Sequence, residues 1–148
     1  INEVVSNTSS SINYQNRLII DAGTCITYDF VDHHNIYKGG AISLGMSLRY
    51  KAIHHFTAKL PLLDTNYPKN YIGNSTSESI HSGIVNGLLF EIEGFLNKYE
   101  ADYSKFTIIL TGGDADFLAK RLKNTIFANS NFLLESLKHT YQYKIKND

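Results

Sequence analysis

Apolar and polar positions change their rhythm several times along the chain, and each change marks a different element. Arg17 to Ile20 is a short apolar run, and Cys25 to Val31 alternates β-branched and aromatic residues with polar ones. The Asp21-Ala22-Gly23-Thr24 segment between them has tight-turn composition, so the two runs predict a hairpin. Asp32 to Asn35 is the next turn, and a third short strand is expected around Ile36 to Lys38. Gly39-Gly40 then permits a bend or a close backbone approach before Ala41 to Ser43. From there the period becomes helical: Leu44, Leu48, Ala52 or Ile53, and Phe56 share a face, and the pattern stops before Leu60-Pro61. Residues 61–74 contain both prolines and predict an irregular connection. Ser75 followed by Glu78 is a capping-box signature, and Ile80, Ile84, Leu88, Ile92 and Phe95 or Leu96 extend one apolar stripe to about Tyr99 as the longest helix. Phe106 to Leu110 reads as a buried strand and Gly112-Gly113 as a turn. Ala115 to Lys123 reads as a helix, Thr125 to Ala128 as a short strand and Phe132 to Tyr141 as a closing helix.

Three antiparallel strands followed by strands alternating with helices argue for an α/β fold, a mixed sheet with helices on its faces. At 148 residues the chain is long enough for one globular domain. Its first sixteen residues are polar, rich in Ser and Asn, and lack an initiator Met, so 1–16 is expected to be an irregular leader or a segment cut from something longer, with 17–148 as the folded lobe. Lys+Arg and Asp+Glu are equal at 14 each, which argues against nucleic acid as a direct partner. Apolar runs such as Phe106 to Leu110 fall far short of the roughly 20 residues of a membrane helix, so no membrane contact is expected and a cytoplasmic location is. A single cysteine, Cys25, excludes an intrachain disulfide framework and is expected to be an inert packed thiol.

Three glycine-containing segments carry the candidate chemistry. In Asp21-Ala22-Gly23-Thr24, Gly23 can expose backbone N–H groups while Thr24 offers a hydroxyl and Asp21 a carboxylate, a set that holds a phosphate and its cation together. The same four residues are also good hairpin-turn chemistry, and a short motif of this kind occurs in aspartic proteases, although the helices starting at Leu44 and Ser75 oppose an all-β chain. Gly39-Gly40-Ala41-Ile42-Ser43 is expected to precede a helix N-terminus, where an anion is favoured, or to be a structural bend. Thr111-Gly112-Gly113-Asp114 ends a buried strand and starts a helix, the place where open α/β sheets bind ligands; the plain alternative is a strand-to-helix turn with Asp114 as N-cap.

Taken in order, DAGTCITYDFVD, KGGAIS with GMSLRYKAIHHFTAKLP, GNSTSESIHSGIVNG and IILTGGDADFLAKRL resemble consecutive signatures of type III pantothenate kinases, the Bvg accessory factor family, from about Leu18 to Tyr143. The resemblance implies a ribonuclease H-like lobe of the actin-like ATPase superfamily, and for the intact protein ATP-dependent phosphorylation of pantothenate, the first step toward coenzyme A. It implies Asp21 as ligand of a monovalent cation, K⁺ or NH₄⁺, and Gly23, Thr24, Gly112, Gly113 and Asp114 around ATP with its Mg²⁺. It further implies Thr76 and Gly40 near pantothenate, and a homodimer. Its non-catalytic rival is a regulatory protein with the same fold.

Two departures look like packing changes: Leu44-Gly45 where the family has Pro-Gly, and Cys25 where it often has Ala. The larger one is that the family's Asp-x-Gly-Asn-Thr phosphate loop and Gly-x-Asp-Arg segment, source of the catalytic base, have no counterpart here. Upstream of Asp21 the acidic residue is Glu3 and the basic one Arg17, so no catalytic base is assigned within this chain. The pairs His33-His34 and His54-His55 and the single His81 show no metal-ligand spacing, and neighbouring helical residues point about 100° apart.

Overall fold

The computed structural model describes residues 15–103, 105–122 and 127–128. All of the leader expected over 1–16 except Gln15 and Asn16 lies outside the described residues, as does the closing helix expected over Phe132 to Tyr141. The described chain runs β1 (Asn16–Ala22), β2 (Cys25–Val31), β3 (Tyr37–Leu44), α1 (Met46–His55), α2 (Thr76–His81), a π-turn (Ser82–Asn86), α3 (Gly87–Asp102), β4 (Phe106–Thr111), α4 (Ala115–Ala119) and β5 (Phe127–Ala128). The strands lie in the order β3-β2-β1-β4-β5. β1 pairs antiparallel with β2, and β2 with β3, while β4 joins β1 and β5 joins β4 in parallel. The mixed α/β order expected from the sequence is thus the one observed.

Alternation along the strands sends two residue sets to opposite faces. Leu18, Ile20 and Ala22 of β1, Ile26, Tyr28 and Phe30 of β2, and Ile108 and Leu110 of β4 share one buried cluster with Ile80, Ile84, Leu88, Ile92 and Leu96 of the long helix. Tyr28 stacks on Phe95 at 4.2 Å and Phe30 on Tyr99 at 5.0 Å, which adds ring contact to the apolar burial that drives the packing. On the other face Ile19, Val31 and Ile109 form a smaller cluster.

The long helix is continuous from α2 to α3 but widens at the π-turn. There Ser82 Oγ donates to the Tyr71 carbonyl and accepts from Asn86 Nδ2 at 3.1 Å, tying the helix to the connection before it. The wider turn leaves both Ile84 and Val85 buried. Its start follows the capping chemistry, because Glu78 N–H donates to Ser75 Oγ at 3.2 Å while Glu78 Oε2 accepts from the Asn74 N–H at 2.7 Å. Ser75→Ala should therefore lower stability by about 1 kcal/mol, read as a shifted denaturant midpoint with unchanged slope.

Three local expectations are corrected. Of the two readings of Gly39-Gly40, the close backbone approach is the one observed and the bend ahead of a helix is not; both glycines lie inside β3, and Gly40 pairs with Asp29 in mid-strand. A Cβ at Gly40 would sit 1.7 Å from the Tyr28 carbonyl oxygen, so the strand runs straight on because its side chain is missing there. The first helix buries Met46 and Tyr50 rather than the Leu44–Phe56 stripe: Leu44 ends β3, and Phe56 is 81% exposed. Cys25 is exposed rather than packed, since it is the first residue of β2, opposite Leu44 at the last residue of β3.

Candidate functional site

Parallel pairing of β1 with β4 brings the C-terminal ends of both strands side by side, with Asp21 opposite Thr111. The chain leaves β1 through Gly23-Thr24 and β4 through Gly112-Gly113. The second turn is sewn to the first by the Asp114 N–H, which donates to the Ala22 carbonyl at 3.0 Å. Gly112 has φ +96°, and a Cβ there would lie 2.5 Å from both the Ala22 oxygen and Asp21 Oδ1; no side chain fits between the two turns. A third segment closes the group, for the Gly45 N–H at the head of α1 donates to the Thr24 carbonyl at 2.9 Å. The fold thus gathers Asp21, Gly23, Thr24, Gly112, Gly113 and Asp114 at one strand end. Thr24 and Gly113 are exposed, while Asp21 and Asp114 are half-buried.

Burial raises the Asp21 carboxyl above its ordinary range, and the negative charge of Asp29 adds to the rise. Burial raises Asp114 likewise. Asp114 holds the N-cap position of α4, yet its side chain makes no capping hydrogen bond, so the carboxylate stays available at the turn. Thr111 is fully buried, and its hydroxyl has no hydrogen-bond partner.

A polar cluster that the sequence reading did not single out lies on the helix-covered face of the sheet. Glu91 of α3 accepts from the Tyr28 hydroxyl at 2.9 Å, from Ser43 Oγ and from Arg49 Nη2, and Arg49 Nε donates to the Leu44 carbonyl at 2.8 Å. This ties α3, β2, β3 and α1 together. The signal was a carboxylate at the i+3 position from Leu88, on the edge of the apolar stripe. Burial acts to raise the Glu91 carboxyl, but hydrogen bonds from Ser43, Arg49 and Tyr28 outweigh it and hold the group below its ordinary value. A depressed carboxyl contributes stability that is present above its unfolded pKa and is lost as pH falls through the folded value. Glu91→Gln should therefore cost about 1–3 kcal/mol at pH 7, with the gap to the parent closing on acidification below roughly pH 4 in paired denaturant titrations.

Other sequence candidates lie elsewhere. Gly40 is four register positions from the Cys25–Leu44 pair, about 13 Å along the strand, and its role in the structure is the close passage beside Tyr28. Thr76 is exposed at the first position of α2, beside a shallow apolar groove with Ile53, Leu60, Ser79, Ile80 and Gly83. A separate cleft of about 270 Å³ runs along 66–74 and is flanked by Lys69, Glu78 and His81. His81 Nδ1 shares a 2.7 Å hydrogen bond with the Tyr50 hydroxyl, and His54 Nδ1 lies 2.7 Å from the Leu60 carbonyl oxygen, so both rings serve local contacts. Among the described residues no group of three or more His, Cys, Asp or Glu side chains is placed to hold a metal ion, and no helix is long and apolar enough to cross a membrane.

A mixed sheet with ligand-type turns at adjacent parallel strand ends is the arrangement of an α/β ligand-binding domain. In comparison with solved structures, the chain superimposes on a putative Baf family transcriptional activator from Campylobacter jejuni with a TM-score of 0.66 at 21% identity, over 93% of this chain and 61% of the other. The family profile of type III pantothenate kinases matches residues 4–98. The chain is 67% identical over 134 residues to the type III pantothenate kinase of Flavobacterium johnsoniae, covering 90% of this chain and 55% of that one. It is 65% identical over 130 residues to that of Flavobacterium psychrophilum, covering 88% and 54%. The chain belongs to the type III pantothenate kinase family, and it spans about half the length of the curated relatives it matches.

Proposed function

We propose that residues 17–148 are the C-terminal, ribonuclease H-like lobe of an ATP-dependent kinase that phosphorylates pantothenate, and that the strand-end turns are its nucleotide half-site. The observation that carries this reading is the junction of Asp21–Thr24 with Thr111–Asp114 through the Asp114 N–H and the side-chain-free contact at Gly112. Phosphoryl transfer asks chiefly for positioning and for neutralisation of phosphate charge. Gly23, Thr24, Gly112 and Gly113 are the residues read as facing ATP; the Gly23 N–H is already donated to the Cys25 carbonyl at 3.0 Å, so the donors to phosphate are sought at the other three, and the open space around a Cβ at Gly113 leaves room for a ligand there. The Asp21 carboxylate is a hard oxygen donor and suits the monovalent cation, K⁺ or NH₄⁺, implied by the family. Mg²⁺ bound with the nucleotide supplies further neutralisation of the phosphates. Thr76 is assigned to pantothenate; the base comes from the half of the relatives that this chain does not span. The intact protein is read as a cytoplasmic homodimer.

Coupled ADP release by the full-length protein tests the reading. Pantothenate-dependent turnover that rises with K⁺ is expected. A folded full-length protein that releases no ADP with pantothenate and ATP would overturn it in favour of a binding protein without catalysis.

A further inference from the structure

Thr111 is the residue of the strand-end group whose chemistry is unspent. It is fully buried, and its hydroxyl makes no hydrogen bond, which is a costly state for a polar atom unless a ligand completes it. Register and alternation define where it stands. Ile19 pairs with Ile109 and Asp21 with Thr111 in the parallel β1–β4 ladder. Ile19 and Ile109 belong to the smaller buried cluster, so Asp21 and Thr111, each two residues further on, stand on that same face at the strand ends. The Asp21 carboxylate itself lies against Gly112, the residue following Thr111.

We infer that Thr111 Oγ1 is a second oxygen ligand, beside the Asp21 carboxylate, of a bound monovalent cation; this rests on the reading of Asp21 given above. The residues that meet at this strand end carry carboxylates at Asp21 and Asp114 and no basic side chain, so a cation meets attraction there and nucleotide phosphates need one beside them. The proposed ligand pair, the Asp21 carboxylate with the neutral Thr111 hydroxyl, matches a single positive charge. A divalent ion asks for a denser acidic cluster, and the described residues hold no group of three or more candidate ligands.

Thermal melting of the full-length protein across a KCl series, with choline chloride holding ionic strength constant, tests this without any activity assay. Parent protein is expected to gain melting temperature with K⁺. Thr111→Val keeps shape and removes the hydroxyl; it should melt no lower than the parent without K⁺, because an unpartnered polar atom has gone, yet need roughly tenfold or more K⁺ for half the gain. Thr111→Ser, which keeps the hydroxyl, should return the K⁺ midpoint close to the parent value. An unchanged midpoint in Thr111→Val overturns the assignment while leaving that of Asp21 intact, provided Asp21→Asn loses the response. A parent-like midpoint in Asp21→Asn removes the reading of Asp21 itself. The assignment also falls if the parent fails to respond to K⁺, if inorganic phosphate replaces K⁺ as the ion whose effect Thr111→Val abolishes, or if Thr111→Val melts several degrees lower in the absence of both.

Discussion

Gly40→Ala is expected to leave the protein largely unfolded. The added Cβ would stand 1.7 Å from the Tyr28 carbonyl oxygen and 2.8 Å from its carbon, both backbone atoms of the neighbouring strand. Relief by side-chain rotation is unavailable, because Tyr28 is fully buried in the core with its ring stacked on Phe95 and its hydroxyl on Glu91. Either β3 moves away from β2, losing the ladder from Cys25–Leu44 to Phe30–Gly39, or β2 is displaced from the core. A cost of about 4 kcal/mol or more is expected, a large part of the roughly 5–15 kcal/mol that holds a domain folded. Gly94→Ala is the contrasting control. It is exposed in α3 with nothing within 4 Å of the new Cβ, and should stabilise by about 0.5–1 kcal/mol through helix propensity. Far-ultraviolet circular dichroism and denaturant midpoints of the two variants decide the matter; a Gly40→Ala protein as stable as its parent would mean that β3 does not pass Tyr28 as described.

Asp21→Asn is expected to reduce pantothenate-dependent ADP release by the full-length protein by roughly 100-fold or more while leaving it no less stable at pH 7. The two effects have one origin. Burial, aided by Asp29, raises the Asp21 carboxyl above its unfolded value. For an acid shifted in this direction, the folded state binds the proton more tightly, so stability declines as pH rises through the interval between the unfolded and folded values. Above that interval the ligand-free protein carries the Asp21 charge at a cost that asparagine removes. Loss of activity together with an unchanged or raised melting temperature marks a residue kept for its charge. Loss of both would mark Asp21 as a structural residue.

Much of this fold is legible in the sequence, for reasons that differ along the chain. β1, β2 and β4 announce themselves because their alternation or apolar density survives without tertiary context. Ser75 and Glu78 make the helix start visible through local hydrogen bonds alone. The glycines of β3 are half legible: a close backbone approach is one of the two readings of Gly39-Gly40, and only the backbone of Tyr28 beside it decides against the bend. Leu44 and Phe56 mislead outright: they share a helical period with Leu48, but α1 lies between them and turns Met46 and Tyr50 inward. The turn motifs at Asp21–Thr24 and Thr111–Asp114 are readable one at a time. Their junction is not, because it depends on the parallel pairing of residues about 90 positions apart, a non-local register that no local pattern encodes. Glu91 and the unpartnered hydroxyl of Thr111 are illegible on the same ground: a glutamate in a helix and a threonine in a strand gain their particular meaning from what is packed around them.

The central claim is that the joined turns hold the phosphates of a nucleotide, and a crystal structure of the full-length protein with a non-hydrolysable ATP analogue tests it most directly. The predicted result places the phosphates against the turns at Gly23–Thr24 and Gly112–Gly113, beside Asp21. Phosphates seated instead in the cleft along 66–74, with the strand-end turns free of nucleotide, would contradict it.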